Sequence, residues 1–293
     1  MNVSEDSSKW KPSTEMIYPH FKNGLYLEEY FSKYYHEHES KFELAGWRYI
    51  DIFWTNLYCN KMFYNVSYSQ TEIQEYIDNV YPTNANMQYF TIVQFDDGVL
   101  QKLPKGTVVF SAGGVGDLPL PLIYEDITNS LSSFPKLKFA EKSLVCSFVG
   151  RLTHKIRETI YNQFKDDPKY VFYIGFDTNI FKDLTVKSKF AFAPRGYGRS
   201  SFRFWEVYLL GTIPVYIYDD IKWLPYQDII NYSKIAVVLR EDELDQLDRI
   251  LMRYVNNVDL YQEMWDEYAK VAKYFTLEGM CDRIYDHVRT SKA

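Results

Sequence analysis

The sequence predicts an α/β protein of two domains, each built on a parallel sheet. Three observations lead there. The chain has 293 residues, more than the roughly 100–200 of a typical domain. Short runs rich in Val, Ile, Phe and Tyr alternate with segments of three-four apolar spacing, which is the rhythm of βαβ units. That rhythm breaks at SLSSFPKLKFAEK (130–142), where Ser, Pro and Lys separate patterned segments as a linker does. An N-terminal domain is therefore placed at 1–140 and a C-terminal one at 141–293, with the last helix a candidate to pack back on the first domain.

Taken in order, residues 1–16 read as a loose polar tail. Leu25, Tyr26, Tyr30, Phe31, Tyr34 and Tyr35 give 24–38 a helix with an aromatic face. HEHES (36–40) follows. His36 and His38 could suggest a metal, but with no further clustered ligand a solvated helix end is the stronger reading. YIDIFWTN (49–56) alternates as a strand, 70–80 reads as a helix, and YFTIVQF (89–95) and TVVFSAGG (107–114) are further strands, the last running into a glycine-rich turn. In the second half the strands are LVCSFVG (144–150), YVFYIG (170–175), FAFAP (190–194), IPVYIY (213–218) and IAVVL (235–239). Helices are placed at 154–164, at 200–211 with a glycine stop, from Leu244 to Val255, and from Leu260 to Phe275. The second half is thus a Rossmann-like sheet, which binds ligands at the carboxyl ends of its strands.

Composition excludes several classes. Aromatic residues reach 18% (27 Tyr, 20 Phe, 6 Trp), which rules out disorder as the dominant state. Lys plus Arg number 33 against 39 Asp plus Glu, a net charge of −6, so nucleic acid is not the main partner and phosphate binding should be local. Cys59, Cys146 and Cys281 are far apart with no CxxC, which argues against a disulfide framework or structural zinc and for reduced thiols. No stretch approaches the ~20 apolar residues that span a bilayer, and MNVSEDSSKWKPST lacks a signal-peptide core. A soluble cytoplasmic protein is expected, in which the sequons at Asn2, Asn65 and Asn231 carry nothing.

The chemistry concentrates in FAFAPRGYGRSSFRFWEVYLLGTIPVYIYDD (190–220). Pro194, Arg195, Gly196, Tyr197, Gly198 and Arg199 form a loop at a strand's carboxyl end, where glycines admit close backbone approach. Ser200 and Ser201 are natural N-caps, and the helix start after them suits phosphate. Arg195, Arg199 and Arg203 can grip phosphate oxygens. Glu206 shares a helix face with Arg203 and fits ribose hydroxyls, against the plainer reading that it only pairs with Arg203. SFVGRLTHKIR (147–157) supplies a second loop with Gly150, Arg151 and Thr153, Arg151 being a diphosphate candidate nearly as plausible as a surface residue. There is no GxGxxG and no GxxxxGK[ST], which disfavours dehydrogenase and P-loop sites.

The run CSFVGR, PRGYGRSSFRFWE, GTIPVYIYDD and WLP resembles the donor domain of exostosin-like glycosyltransferases, whose pattern is PRG, a helix with Ser, Arg and Glu, then GxIPV. GLYLEEYF (24–31), YIDIFWTNLYC (49–59) and YFTIVQFDDG (89–98) resemble its shorter N-terminal domain. The resemblance covers most of 17–240 and is specific in 194–215. It implies a GT-B fold, two Rossmann-like domains facing across a cleft. It also implies an inverting transferase that moves a sugar from a UDP-sugar to a hydroxyl of a glycan. The compact length is similar to chlorovirus-encoded xylosyltransferases of capsid glycan synthesis, which implies UDP-xylose. Gly150, Arg151, Thr153, Pro194, Arg195, Gly196, Ser200, Ser201, Arg203 and Glu206 would hold the donor. Where the family often has His-Asp before a glycine, this chain has Asp96-Asp97-Gly98.

No Asp-x-Asp occurs, which favours a site without metal or other cofactor, with arginines and helix dipoles neutralising the leaving diphosphate. The proton-accepting base is sought among first-half acids: Asp96 first, then Asp97, with Glu28 as runner-up and Asp51 facing packing. Asp-Gly is also a turn signal by itself. Trp47, Trp54, Tyr58 and Trp223 are candidates to stack on sugar, each singly more apt to be core. Two other functions compete: a glycan- or nucleotide-binding protein without turnover, and a GDP-fucose-dependent fucosyltransferase, whose Glu-Asn and Glu-Lys motifs are not visible.

Overall fold

The computed structural model describes residues 7–16, 18–66, 68–83 and 87–291. Part of the N-terminal tail, Asn2 of the first sequon and Ser67 of the second lie outside the described residues. The chain divides into two compact units. The first holds the chain to Tyr18, Gly24–Glu125 and the chain from Thr276 on; the second holds Pro19–Asn23 and Asp126–Phe275. The division at 125/126 precedes the 140/141 boundary placed by composition. Segment 126–142 belongs to the second unit because its end is anchored there. The buried Lys142 ammonium donates to the carbonyls of Val186 (2.8 Å) and Ser188 (2.9 Å) and to Thr212 Oγ1 (3.1 Å).

The first unit contains α1 (Leu27–Leu44), β1 (Trp47–Tyr49), α2 (Trp54–Tyr64), α3 (Gln70–Val80), β2 (Gln88–Val93), β3 (Val108–Ser111) and β4 (Leu118–Pro119). Its strands lie in the order β1-β2-β3-β4, all parallel. The strand read over 49–56 is shorter than its alternation suggests. Pairing stops near Ile50, whose N–H still reaches Phe90 O (2.8 Å), and Trp54 opens α2 with its indole N–H on Thr91 Oγ1 (2.8 Å). The aromatic excess goes into the core. Phe90, fully buried, meets Phe31 (5.9 Å between centroids), Phe42 (5.6 Å) and Tyr49 (5.3 Å). Truncating such a ring to Ala costs about 3–5 kcal/mol.

The second unit contains β5 (Leu144–Gly150), α4 (Lys155–Phe164), β6 (Tyr170–Ile174), α5 (Thr178–Lys187), β7 (Ser188–Phe192), α6 (Phe202–Leu209), β8 (Ile213–Tyr218), β9 (Val237–Arg240), α7 (Leu247–Val255) and α8 (Val258–Val271). All its strand pairs are parallel, in the order β6-β5-β7-β8-β9. The order reverses between β5 and β7, a switch point of the kind at which such sheets bind ligands. Two parallel α/β sheets in one chain are consistent with the GT-B class expected from the sequence. Its last helix, α9 (Leu277–Thr290), belongs to the first unit, where Tyr285 meets Phe42 (5.2 Å) and Asp282 accepts from Tyr34 Oη (3.1 Å).

Trp47, Trp54, Tyr58 and Trp223 are all buried. They pack the cores and present no open face to a sugar. Among the described residues no helix is long and apolar enough to cross a membrane.

Candidate functional site

The carboxyl ends of β5 and β7 bring both arginine loops together. The fastener is Arg157 on α4, which sequence reasoning missed. Its Nε donates to Arg195 O (2.7 Å), one terminal nitrogen to Arg151 O (3.0 Å) and the other to Pro194 O (3.3 Å). Gly196 sits against this guanidinium: a Cβ there would lie 3.3 Å from Arg157 Nη2 and 3.9 Å from Thr153 Oγ1. Gly150 ends β5 in the core, with its carbonyl accepting from Gly175 N–H (3.1 Å). Pro194 is buried and Thr153 half-buried.

The arginines are differently engaged. Arg195 donates from Nη1 to Asp219 (3.1 Å) and Asp220 (3.3 Å), and from Nη2 to Tyr197 O (2.7 Å), while its buried Nε has no hydrogen-bond partner. Arg199 holds Asp220 through Nε (2.8 Å) and Nη2 (2.7 Å). That hydrogen bond drops the Asp220 carboxyl to about 2. Arg203 donates to Glu206 Oε2 (2.5 Å), so the pairing read as the plainer alternative is present. Its guanidinium also lies over the rings of Phe181 (3.9 Å) and Phe176 (4.6 Å). Arg151 is exposed and forms no ion pair with the described residues.

Ser201 occupies the N-cap of α6 with extended φ and ψ, but its hydroxyl makes no cap hydrogen bond; Ser200, just before it, is half-buried. The helix therefore starts with backbone N–H groups that its cap side chain does not cover. It stops at Gly211, whose φ of +74° is the left-handed turn that glycine tolerates. His154, also missed, caps α4 through Ile156 N–H (3.3 Å) and lies 3.7 Å from Asp219. Burial and the Arg195 charge push its pKa down. Asp219 and Asp220 follow β8 in the quoted GTIPVYIYDD, but nothing in the sequence marked them as partners of the arginines.

The acids of the first unit separate by exposure. Glu28 on α1 is 2% exposed. Its Oε1 accepts from Gln94 N–H (2.7 Å) and Thr55 O–H (2.5 Å), and its Oε2 from Thr55 N–H (3.1 Å). Burial lifts its pKa to about 7 against the pull of those bonds. Asp96 is half-buried in the turn after β2, and Asp97 is exposed. That turn is clamped by the glycine-rich loop after β3. A Cβ on Gly113 would fall 2.1 Å from Phe95 O, and one on Gly98 2.7 Å from Val115 O. Asp51 is buried and bonded by Lys11 and by His36 Nε2 (2.7 Å), while His38 Nδ1 lies 2.9 Å from Tyr34 O, so the two histidines of HEHES serve separate local contacts.

The two arginine loops lie at the switch point of a doubly wound sheet, where such sheets take their ligands. Comparison with known proteins sharpens this. Residues 114–254, which carry both arginine loops, match the exostosin GT47 domain, and that segment is exostosin-like. Over 114 residues the chain is 33% identical to a probable glucuronosyltransferase, GUT1, of Oryza sativa subsp. japonica, and 31% identical to a probable beta-1,4-xylosyltransferase, IRX10, of Arabidopsis thaliana. Each alignment takes in 39% of this chain and 27% of the relative, so the match spans about a quarter of those proteins. A solved alpha-glucosyltransferase in complex with UDP and a 13-mer DNA aligns over 76% of each chain with a TM-score of 0.44 and 12% identity.

Proposed function

We propose that this protein is a glycosyltransferase that moves a sugar, xylose in our reading, from its UDP derivative to a hydroxyl of a glycan. The carrying observation is that the exostosin-like segment contains the paired arginine loops at the sheet's switch point. The second unit supplies the donor site. Arg151, Arg195, Arg199 and Arg203, with the N-terminus of α6, neutralise charge as the bond from the anomeric carbon to the diphosphate oxygen breaks and UDP departs. No metal takes part in this reading. Glu206, paired with Arg203 on α6, is the ribose acceptor in this reading. Relatives named as xylosyl- and glucuronosyltransferases support a pentose or uronic-acid donor. The three cysteines are buried and unpaired, which supports a reducing, cytoplasmic location.

The base belongs to the first unit. Asp96 is our choice because it is half-buried on a clamped turn at a strand's carboxyl end. It takes the acceptor hydroxyl proton as that oxygen bonds to the anomeric carbon, with inversion. Glu28 is sealed from an acceptor and acts by holding Gln94 N–H, two residues before Asp96. The test is transfer from UDP-xylose and UDP-glucuronic acid to xylan oligosaccharides, with UDP affinity measured in parallel. Asp96→Asn lowers turnover about 10²–10⁴-fold with UDP affinity nearly unchanged. Parental turnover in that variant removes Asp96 as base, and UDP binding with no transfer by the parent leaves a binding protein.

A further inference from the structure

Two exposed apolar side chains flank the arginine network of the second unit. Tyr197, in the loop after β7, is 75% exposed, and Ile221, three residues past β8, is 49% exposed. β7 and β8 are parallel neighbours, so both residues follow the carboxyl end of the sheet. One short run of hydrogen bonds ties them together. Arg195 donates from Nη2 to Tyr197 O (2.7 Å) and from Nη1 to Asp220 Oδ1 (3.3 Å). That same carboxylate oxygen accepts the Ile221 N–H (2.6 Å), while Arg199 Nε holds Oδ2 (2.8 Å). The bonds to Tyr197 and Ile221 use main-chain atoms only. They fix where the two residues stand and ask nothing of the side chains. The foot of the loop is set as well, because Gly196 lies against Arg157, where a Cβ would come within 3.3 Å of Nη2.

We propose that Tyr197 is the platform on which the uracil of the nucleotide sugar stacks, with Ile221 as its second apolar contact. The inference rests on the donor site assigned above and extends it from the diphosphate to the base. A ligand lying along this strip must place negative charge at the guanidiniums and apolar surface on Tyr197 and Ile221. A nucleoside diphosphate does both. Inorganic phosphate satisfies only the arginines, and a sugar ring, studded with hydroxyls, has no flat face to match an aromatic one. The tyrosine ring stands in water in the free protein, so stacking removes apolar area on both partners without first opening a core. Stacking suits any base, so Tyr197 adds affinity without choosing among bases.

The experiment is calorimetry on the full chain with UDP and with inorganic pyrophosphate, which carries two phosphates and no base. Tyr197→Ala keeps the carbonyl that Arg195 holds and loses only the ring. It should weaken UDP about 5–100-fold and leave pyrophosphate at the parental affinity. Tyr197→Phe should stay within about threefold of the parent for UDP, because the ring and not the hydroxyl makes the contact. Ile221→Ser should cost UDP about 2–5-fold, again with pyrophosphate unchanged. Saturation-transfer NMR on UDP-xylose gives a second readout. In the parent the uracil H5 and H6 should receive the strongest transfer, and Tyr197→Ala should lower it relative to the ribose protons. Unchanged UDP affinity in Tyr197→Ala, an equal loss for UDP and pyrophosphate, or transfer that favours the xylose protons over the uracil overturns the proposal and leaves the donor site standing. If the parent binds neither UDP nor pyrophosphate, the donor site and the proposal fall together.

Discussion

Glu28→Gln removes a titrating group from the centre of the first unit, and its effect on stability can be worked from the structure. The parental carboxyl is 2% exposed and receives three hydrogen bonds, from Gln94 N–H, Thr55 N–H and Thr55 O–H. Burial raises its pKa from 4.5 to about 7. Between those values the folded chain keeps a proton that the unfolded chain has released. Rising pH therefore favours the unfolded state, and the stability contributed by the proton is full below the unfolded value and lost as pH passes the folded one. The gap corresponds to about 3 kcal/mol. Glutamine has no such proton, so the parent should lose about that much stability relative to the variant between about pH 4.5 and about pH 8. Urea unfolding of both proteins at the two ends of the window, followed by aromatic fluorescence, measures the difference, in which the other titrating groups cancel. A difference that stays constant with pH would refute the sealed, protonated carboxyl.

Three further outcomes concern the second unit. Arg157→Met, which frees the carbonyls of Arg151, Pro194 and Arg195, should weaken UDP binding about tenfold, read by calorimetry, and lower the thermal midpoint by ~2–6 °C; unchanged affinity would mean the loops need no fastener. Arg151→Ala should cost more UDP affinity than Arg195→Ala, because Arg195 is already committed to two aspartates; the reverse order in the same titrations contradicts that ranking. Transfer activity should survive excess EDTA, and complete loss restored by Mn²⁺ or Mg²⁺ would mean the diphosphate is neutralised by metal.

The doubly wound unit was the legible half. Its strands are buried on both faces, so they read as unbroken apolar runs; β5 and β8 fall on the residues expected. The helix α5 escaped because it buries only Phe181, Thr185 and Val186, too few for a helical period to stand out, although Asp177 caps it through Asn179 and Ile180 N–H. The two-residue β4 has no periodicity to read. In the first unit the alternation of YIDIFWTN did not carry a strand through to Asn56: residues 49–52 are all buried, the chain leaves the sheet near Ile50, and Trp54 sits in the core at the head of a helix. Ile221 carried no local signal at all. Its place beside the arginine loop depends on Asp220 bonding both its N–H and Arg195, a contact of the folded state only.

The arginines show the same limit inside the candidate site. Arg151, Arg195, Arg199 and Arg203 are identical as letters, yet among the described residues three are tied to carboxylates and one is not. Asp220, held near 2 by Arg199, stays ionised through any working pH, so protonation does not release its pairs with Arg199 and Arg195. In the proposed site a diphosphate would compete with these carboxylates, which set the guanidiniums in place before it arrives and limit how tightly it is held. Counting Arg157, five guanidiniums in this network stand against Asp219, Asp220 and Glu206. The excess of two positive charges matches the roughly two negative charges of a nucleotide-sugar diphosphate. A site with every arginine unpaired would carry a larger field and hold the UDP product more firmly after transfer. In the proposed donor site the aspartates after β8 would thus be a means of keeping product release possible.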